Sequence, residues 1–264
     1  MASGRTWADR FMALSAIERA VIVVSVVSAT FLVVDPLVLD ATRGFHPGVR
    51  MFFKILTELG RSNWILIPAG LGILILGWMR ASEMQLRRAV VYGYAAQLLI
   101  FLFAAVALSG LTSSLIKNIL GRARPKLFET FGSLEFQPFT FDADFASFPS
   151  GHATTAGALA GVLAIIWPKA RLPIICAGLW IAATRFLVGA HYFSDALVGF
   201  AFGISFAYLL RNRLAVRRWL FERDQTGTVR LRARGLLDAG LKACVERGKN
   251  ALPSTGLHTE GPRQ

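Results

Sequence analysis

Six mostly apolar stretches, separated by short polar ones, occupy the first 210 positions of the chain: Ala20–Leu39, Trp64–Trp78, Ala89–Ile116, Ala153–Trp167, Leu172–Ala190 and Ala196–Leu210. A bilayer-spanning helix needs roughly 20 predominantly apolar residues. Where a run counts nearer roughly 15, flanking aromatics such as Trp64, Trp78 and Trp167 mark the membrane interfaces. The pattern predicts an all-α bundle of six transmembrane helices over residues 20–210. It is preceded by an N-terminal segment, 1–19, and followed by a polar tail, 211–264. Composition points the same way: with 54% hydrophobic residues, 20 Phe and 17% charged residues, the chain lacks the polar surface to cover these runs as a water-soluble core. The first run exits through Asp35 and Pro36 into further apolar residues with no small-residue cleavage pattern, so it reads as an uncleaved span. Cys176 and Cys244 lie far apart and predict neither a disulfide nor a metal site.

The net charge of +13 is unevenly distributed. Residues 211–264 hold 12 Lys and Arg against 5 Asp and Glu, and the 80–88 loop adds Arg80, Arg87 and Arg88 against Glu83. Short basic loops stay cytoplasmic. With six spans, both termini, the 80–88 loop and the Lys169/Arg171 turn are placed on the cytoplasmic side of a bacterial inner membrane, and the 40–62 and 117–148 loops outside. The 40–62 loop runs against this rule, since Arg43, Arg50, Lys54 and Arg61 exceed Asp40 and Glu58. The Arg-rich tail directly follows a span, where cations meet anionic headgroups. Membrane lipids are therefore its expected partner, and nucleic acid is not.

This threading brings three separated polar clusters to the outer face. "KNILGRARP" runs from Lys117 to Pro125 at the end of the third span, and "PSGH" from Pro149 to His152 opens the fourth. "TRFLVGAHYFSD" runs from Thr184 to Asp195 between the fifth and sixth. Lys117, Arg124 and Arg185 lie at or near membrane depth, where an unpaired cation costs several kcal/mol, so their proximity calls for an anion. Lys117 and Arg124 are seven apart and share a face if the third helix continues past Gly121 to Pro125. An Arg fork and a Lys point charge suit phosphate oxygens. Ser150 is a candidate N-cap, and Gly151 lets the backbone approach closely, which makes the start of the fourth span an anion site.

His191 and Asp195 are four apart and predict a pair in which the carboxylate accepts from one ring nitrogen and leaves the other as a nucleophile. His152 is positioned in sequence to serve as general acid. Two His and one Asp are also a metal-ligand set, but three neighbouring cations repel a divalent ion and favour an anion. No cofactor or metal is expected.

With their spacings, these clusters resemble the signature of the type 2 phosphatidic acid phosphatase superfamily: K-x6-RP, PSGH and SR-x5-H-x3-D. The matches are Lys117, Arg124 and Pro125, then Pro149 to His152, then Arg185, His191 and Asp195, within Ala89–Leu210. Thr184 stands where the family usually has Ser, which keeps a phosphate contact there possible. The resemblance implies a membrane lipid phosphate phosphatase that is independent of metal and forms a phosphohistidine on His191. His152 would act as acid and then base, and Lys117, Arg124, Arg185, Ser150 and the Gly151 amide would hold the phosphoryl oxygens. Family substrates include phosphatidate, phosphatidylglycerophosphate, undecaprenyl diphosphate and lipid A phosphates. Two other classes remain: a non-catalytic lipid-binding or transport protein on the same fold, and a haloperoxidase-like enzyme, against which the six spans argue. The segment "GVRMFFKILTEL", with Phe52 and Phe53, is either a wall of the lipid entrance or an interfacial helix.

Overall fold

The computed structural model describes residues 13–82 and 85–232. Five described helical stretches are long and apolar enough to cross a membrane: Ser25–Arg43, Pro47–Ser82, Arg88–Leu120, Pro168–Leu187 and Phe193–Val216. A sixth apolar helix, Gly151–Ile166, is shorter. The chain is thus an integral, multi-pass helical membrane protein, with five full-length spans and one shorter apolar helix among the described residues where the sequence predicts six spans.

Helix α1 (Ala16–Ala29) passes through a π-helical turn, Thr30–Val34, into α2 (Asp35–Arg43). Pro36 has no N–H and cannot continue the regular bonding ladder, which accounts for a widened turn just before it. The stretch expected to be a loop at 40–62 instead contains α3 (Pro47–Leu56) and a 3-10 turn, Thr57–Gly60, before α4 (Asn63–Ser82). His46 caps α3 by accepting the Gly48 N–H at Nδ1, 3.2 Å away. On one side of α3, Phe53 packs edge-on against Trp180, and Val49, Phe52 and Ile55 are exposed. In a bilayer these exposed side chains face lipid. The segment is thus a short helix that leans on the bundle through Phe53 and leaves an apolar side exposed.

Helix α5 (Leu86–Leu120) is the longest. The continuation to Pro125 that a shared face for Lys117 and Arg124 requires does not occur: the helix stops at Gly121, whose φ of 65° is the left-handed cap that only glycine adopts freely. A Cβ there would also lie 1.8 Å from the Gln137 carbonyl oxygen. Beyond the cap the chain is extended: Ala123 N–H donates to the Glu135 carbonyl and Arg124 N–H to that of Asp144. The following loop returns to a cis Phe148–Pro149 bond and into α6 (Gly151–Ile166).

Helix α6 is the centre of the bundle. It is rich in Gly, Ala and Thr, most of its residues are buried, and it packs on α5, α7 (Arg171–Leu187) and, most extensively, α8 (Phe193–Val216). Small residues let helix backbones close up in a membrane, where packing replaces the hydrophobic effect. A Cβ at Gly157 would lie 2.1 Å from the Phe200 carbonyl oxygen, and one at Gly203 equally close to that of Thr154. At 16 residues α6 is roughly 24 Å long, below the roughly 30 Å hydrocarbon thickness. Its surroundings are protein rather than lipid, so it need not match that thickness.

The tail was expected to begin near Arg211. Instead α8 continues to Val216, and a two-stranded antiparallel hairpin follows, β1 (Phe221–Arg223) pairing with β2 (Val229–Leu231). Leu220 and Phe221 are buried, and the Phe221 ring meets Phe101 of α5 edge-on at 4.9 Å. The all-α expectation is amended by this hairpin, which seals the opposite end of the bundle from the polar clusters. Residues 233–264, which carry much of the predicted basic tail and Cys244, lie outside the described residues.

Candidate active site

The end of α5, the start of α6, the end of α7 and the start of α8 meet at one end of the bundle. Ser150 is the N-cap of α6, its Oγ accepting the Ala153 N–H. The first backbone bond inside the helix runs from Thr154 N–H to the Ser150 carbonyl, so the Gly151 and His152 amides precede it and point out of the helix start. A Cβ placed on Gly151 would lie 3.5 Å from Lys117 Nζ, which puts the Lys117 ammonium against this N-terminus. Arg185 Nη1 donates to Thr57 Oγ1 at 2.8 Å, whereas its Nε is buried with no acceptor among the described residues. A buried, unanswered guanidinium N–H is an opening for a ligand oxygen. Lys117, His152, Arg185 and His191 lie within electrostatic range of one another.

Lys117 and Arg124 converge without sharing a helical face. Gly121 turns the chain, and the extended segment brings Arg124 back, with its Nε donating to the Ala143 carbonyl at 2.7 Å. Thr184 departs from expectation: it is fully buried and its hydroxyl donates to the Ile181 carbonyl at 2.6 Å. Its only donor is committed to its own helix, so it offers none to a phosphate.

The histidine pair also differs from the expected form. His191 lies in the turn before α8, not on it, and its Nδ1 is 2.8 Å from the Ser147 carbonyl oxygen. A carbonyl can only accept, so Nδ1 carries the proton and Nε2 keeps its lone pair. Asp195 Oδ2 is 3.6 Å from Nδ1, too far for a hydrogen bond. The carboxylate therefore acts on the ring through its charge. Burial pushes the His191 pKa down to about 4, against the opposing pull of Asp195, so the ring is neutral near pH 7.

Asp195 is fixed by other groups. Its Oδ2 accepts from Ser147 Oγ at 2.5 Å and Tyr192 N–H at 2.9 Å, and its Oδ1 accepts from Arg122 Nη1 at 2.5 Å. Arg122 is fully buried, with Nη2 donating to Asp35 Oδ2 at 2.7 Å and Nε to the Ser133 carbonyl. Its guanidinium lies 4.1 Å from the Phe31 ring centroid and 4.3 Å from that of Tyr192, contacts worth about 2 kcal/mol or more when desolvated. Asp35 also accepts from the Ser194 N–H and hydroxyl. The sequence reading assigned no site role to Arg122, Asp35, Ser147 or Ser194. A signal existed for Asp35, since an ionisable residue inside an apolar run marks a polar interior.

These features define a class: a polytopic helical membrane protein whose pocket joins two histidines, three cations and a helix N-terminus. The chain belongs to the PAP2 superfamily, which it matches over residues 98–219. It is 38% identical over 164 residues to proteins named Lipid A 1-phosphatase from Rhizobium etli and Rhizobium johnstonii. Those matches cover 61% of this chain and 69% and 66% of the relatives, about two thirds of their length. In fold it is similar to the crystal structure of a transmembrane PAP2-type phosphatidylglycerolphosphate phosphatase from Bacillus subtilis. That likeness has a TM-score of 0.50 and 17% identity, covering 75% of this chain and 94% of that one.

Proposed function

We propose that this PAP2 protein is a lipid phosphatase that removes a terminal phosphate through a phosphohistidine on His191. The observation that carries the mechanism is the Ser147 carbonyl on Nδ1, which leaves the Nε2 lone pair free on a ring within electrostatic range of Arg185 and Arg124. Nε2 attacks phosphorus, forming a P–N bond as the bond to the lipid oxygen breaks, and His152 gives that oxygen its proton. Water then attacks phosphorus and yields a proton to His152, the P–N bond breaks, and inorganic phosphate leaves. Lys117, Arg124, Arg185, Ser150 Oγ and the Gly151 amide hold the oxygens on which charge develops. Asp195, anchored by Arg122, stabilises the charge that His191 acquires.

The substrate class follows from the relatives: a glycolipid phosphate of the lipid A type is favoured over the other lipid phosphates. A cleft of about 430 Å³ between α4 and α5, lined by Leu66, Val106 and Leu111, reaches Gly151 and His152. It offers an acyl chain a lateral path from the bilayer. The catalytic unit extends from the first span through residue 210, with the hairpin packed beneath it. The basic loops favour a bacterial inner membrane with the pocket on the outer face, and the basic stretch after Arg211 near anionic headgroups of the opposite leaflet. Phosphate release by the purified protein in detergent, measured across a panel of lipid phosphates, tests this reading. Lipid A losing one phosphate is the expected result, and no release from any member would overturn it.

A further inference from the structure

The cavity that opens beside His152 and Arg185 has a volume of about 740 Å³, and its other walls carry Arg43, Arg50, Lys54 and Arg61, with Glu58 as the lining carboxylate. Two of these cations are answered: Arg43 by Glu129, and Arg61 by Glu58 at 2.9 Å. Two are not. Arg50 donates from Nη2 to the carbonyl oxygens of Thr42 and Arg43, at 3.2 and 2.9 Å, which fixes the guanidinium without cancelling its charge. Lys54 has no hydrogen-bond or ion-pair partner among the described residues. Arg50 and Lys54 are four apart on α3, so they share the face turned to the cavity. The face carrying Val49, Phe52 and Ile55 is apolar and exposed. Cations meant only for bulk headgroups would gain nothing by lining a cavity that ends at the catalytic histidine.

We propose that Arg50 and Lys54 form a second anion subsite, and that its ligand is a second phosphate carried by the substrate and kept in the product. This rests on the phosphatase reading and specifies its substrate class: a lipid whose headgroup bears two phosphates, one cut and one held. The volume suits a sugar-phosphate headgroup, since small-molecule sites run at about 300–1,000 Å³. Because His152 and Arg185 line the same cavity, a phosphate held by Arg50 and Lys54 can belong to the molecule whose other phosphate is cut.

The test uses the full-length protein in neutral detergent with two synthetic disaccharide glycolipids of identical acyl chains and reducing-end phosphate, one of them bearing a second phosphate on the distal sugar. A charge-assisted contact is worth enough that kcat/KM for the bisphosphorylated lipid is expected to exceed that for the other by about tenfold or more. In the Arg50→Gln/Lys54→Gln variant the ratio is expected to fall to within about twofold, with Lys54→Arg preserving most of it. A wild-type ratio of one, or an unchanged ratio in the double variant, would overturn the subsite while leaving the phosphatase reading intact. Failure of the wild type to cleave either lipid while it cleaves another lipid phosphate would overturn the subsite alone, and no release from any lipid phosphate would overturn both. If the occupant were a bulk lipid headgroup, adding phosphatidylglycerol would raise kcat/KM for both substrates together and the double variant would lose that rise. That outcome also counts against a tethered phosphate.

Discussion

Arg122 and Asp195 form a fully buried ion pair of 2.5 Å two residues upstream of the motif arginine Arg124, and Arg122 is shared on its other side with Asp35 of α2. The cation holds the carboxylate that supports His191, and the second carboxylate balances the cation. Removing one partner of a buried pair strands the others without water. Arg122→Ala is therefore expected to destabilise the protein by about 3–5 kcal/mol, read as a lowered midpoint of thermal unfolding in detergent. Asp35→Asn keeps one accepting oxygen, enough for Arg122 and the Ser194 hydroxyl, and loses the bond from the Ser194 N–H, so it is expected to cost less than Arg122→Ala, which strands two carboxylates. Equal stability of Arg122→Ala and wild type would show that the network has no structural role.

His191→Ala removes the group assigned as nucleophile. Loss of kcat by about 10⁴-fold or more is expected, on the scale of nucleophile deletions elsewhere, with insertion and unfolding midpoint preserved. Asp195→Asn is expected to retain measurable turnover, because Ser147, and not Asp195, holds the Nδ1 proton. Single-turnover phosphate release compares the two. A His191→Ala enzyme with normal turnover would refute the mechanism.

Burial places the His191 pKa at about 4, below the ordinary value near 6.5. The sign follows: the neutral, nucleophilic ring persists as pH falls through 6.5 and is lost only as pH falls through about 4. Nitrogen-15 chemical shifts of His191, followed in a His152→Gln background, should show Nδ1 protonated and Nε2 bare down to that point. A midpoint near 6.5 would show that water reaches the ring.

How much of this was legible in the sequence depended on the range of the interaction. The spans, the short reach of α6 and the Ser150 cap are local properties of composition and capping, and they read directly. The bond between His191 and the Ser147 carbonyl was not legible, because a backbone oxygen 44 positions away leaves no mark in residue type. The pairing of Asp35 with Arg122 joins residues 87 apart through a contact that only the packed bundle creates. Gly121 was visible but misjudged: its tolerance of a left-handed conformation, not its helix propensity, decided where α5 ended. Arg211 looked like the start of a polar tail because Leu220 and Phe221 are isolated apolar residues in a basic stretch, and only tertiary contact with Phe101 buries them.

The donor set predicts the response to chelators. Three cations around two histidines repel a divalent ion, and they supply the charge stabilisation that a metal would give. Turnover in excess EDTA is expected to stay within about twofold of that without it, and vanadate is expected to inhibit, because its five-coordinate form resembles phosphoryl in transfer. Activity abolished by chelation and restored by Mg²⁺ would mean that the cations had been assigned the wrong task.

The proposed sidedness can be tested on the same bundle. The hairpin and the Lys169/Arg171 turn lie at the end opposite the histidines, and the basic-loop rule puts that end in the cytoplasm. Thr140 lies in the 121–150 loop, next to Phe139, whose N–H donates to Asn118 near the end of α5, and is exposed. In a background with Cys176 and Cys244 changed to Ser, Thr140→Cys is expected to react with a membrane-impermeant maleimide added to intact cells, and a reporter fused after Arg232 to behave as cytoplasmic. The 40–62 segment, basic yet outside in the proposed orientation, is the part of the sequence that opposes it. Its Arg50 and Lys54 line the substrate cavity, which gives their charge a use that does not depend on topology. Labelling of Thr140→Cys only after the membrane is permeabilised would reverse the orientation and assign the pocket to lipids of the cytoplasmic leaflet.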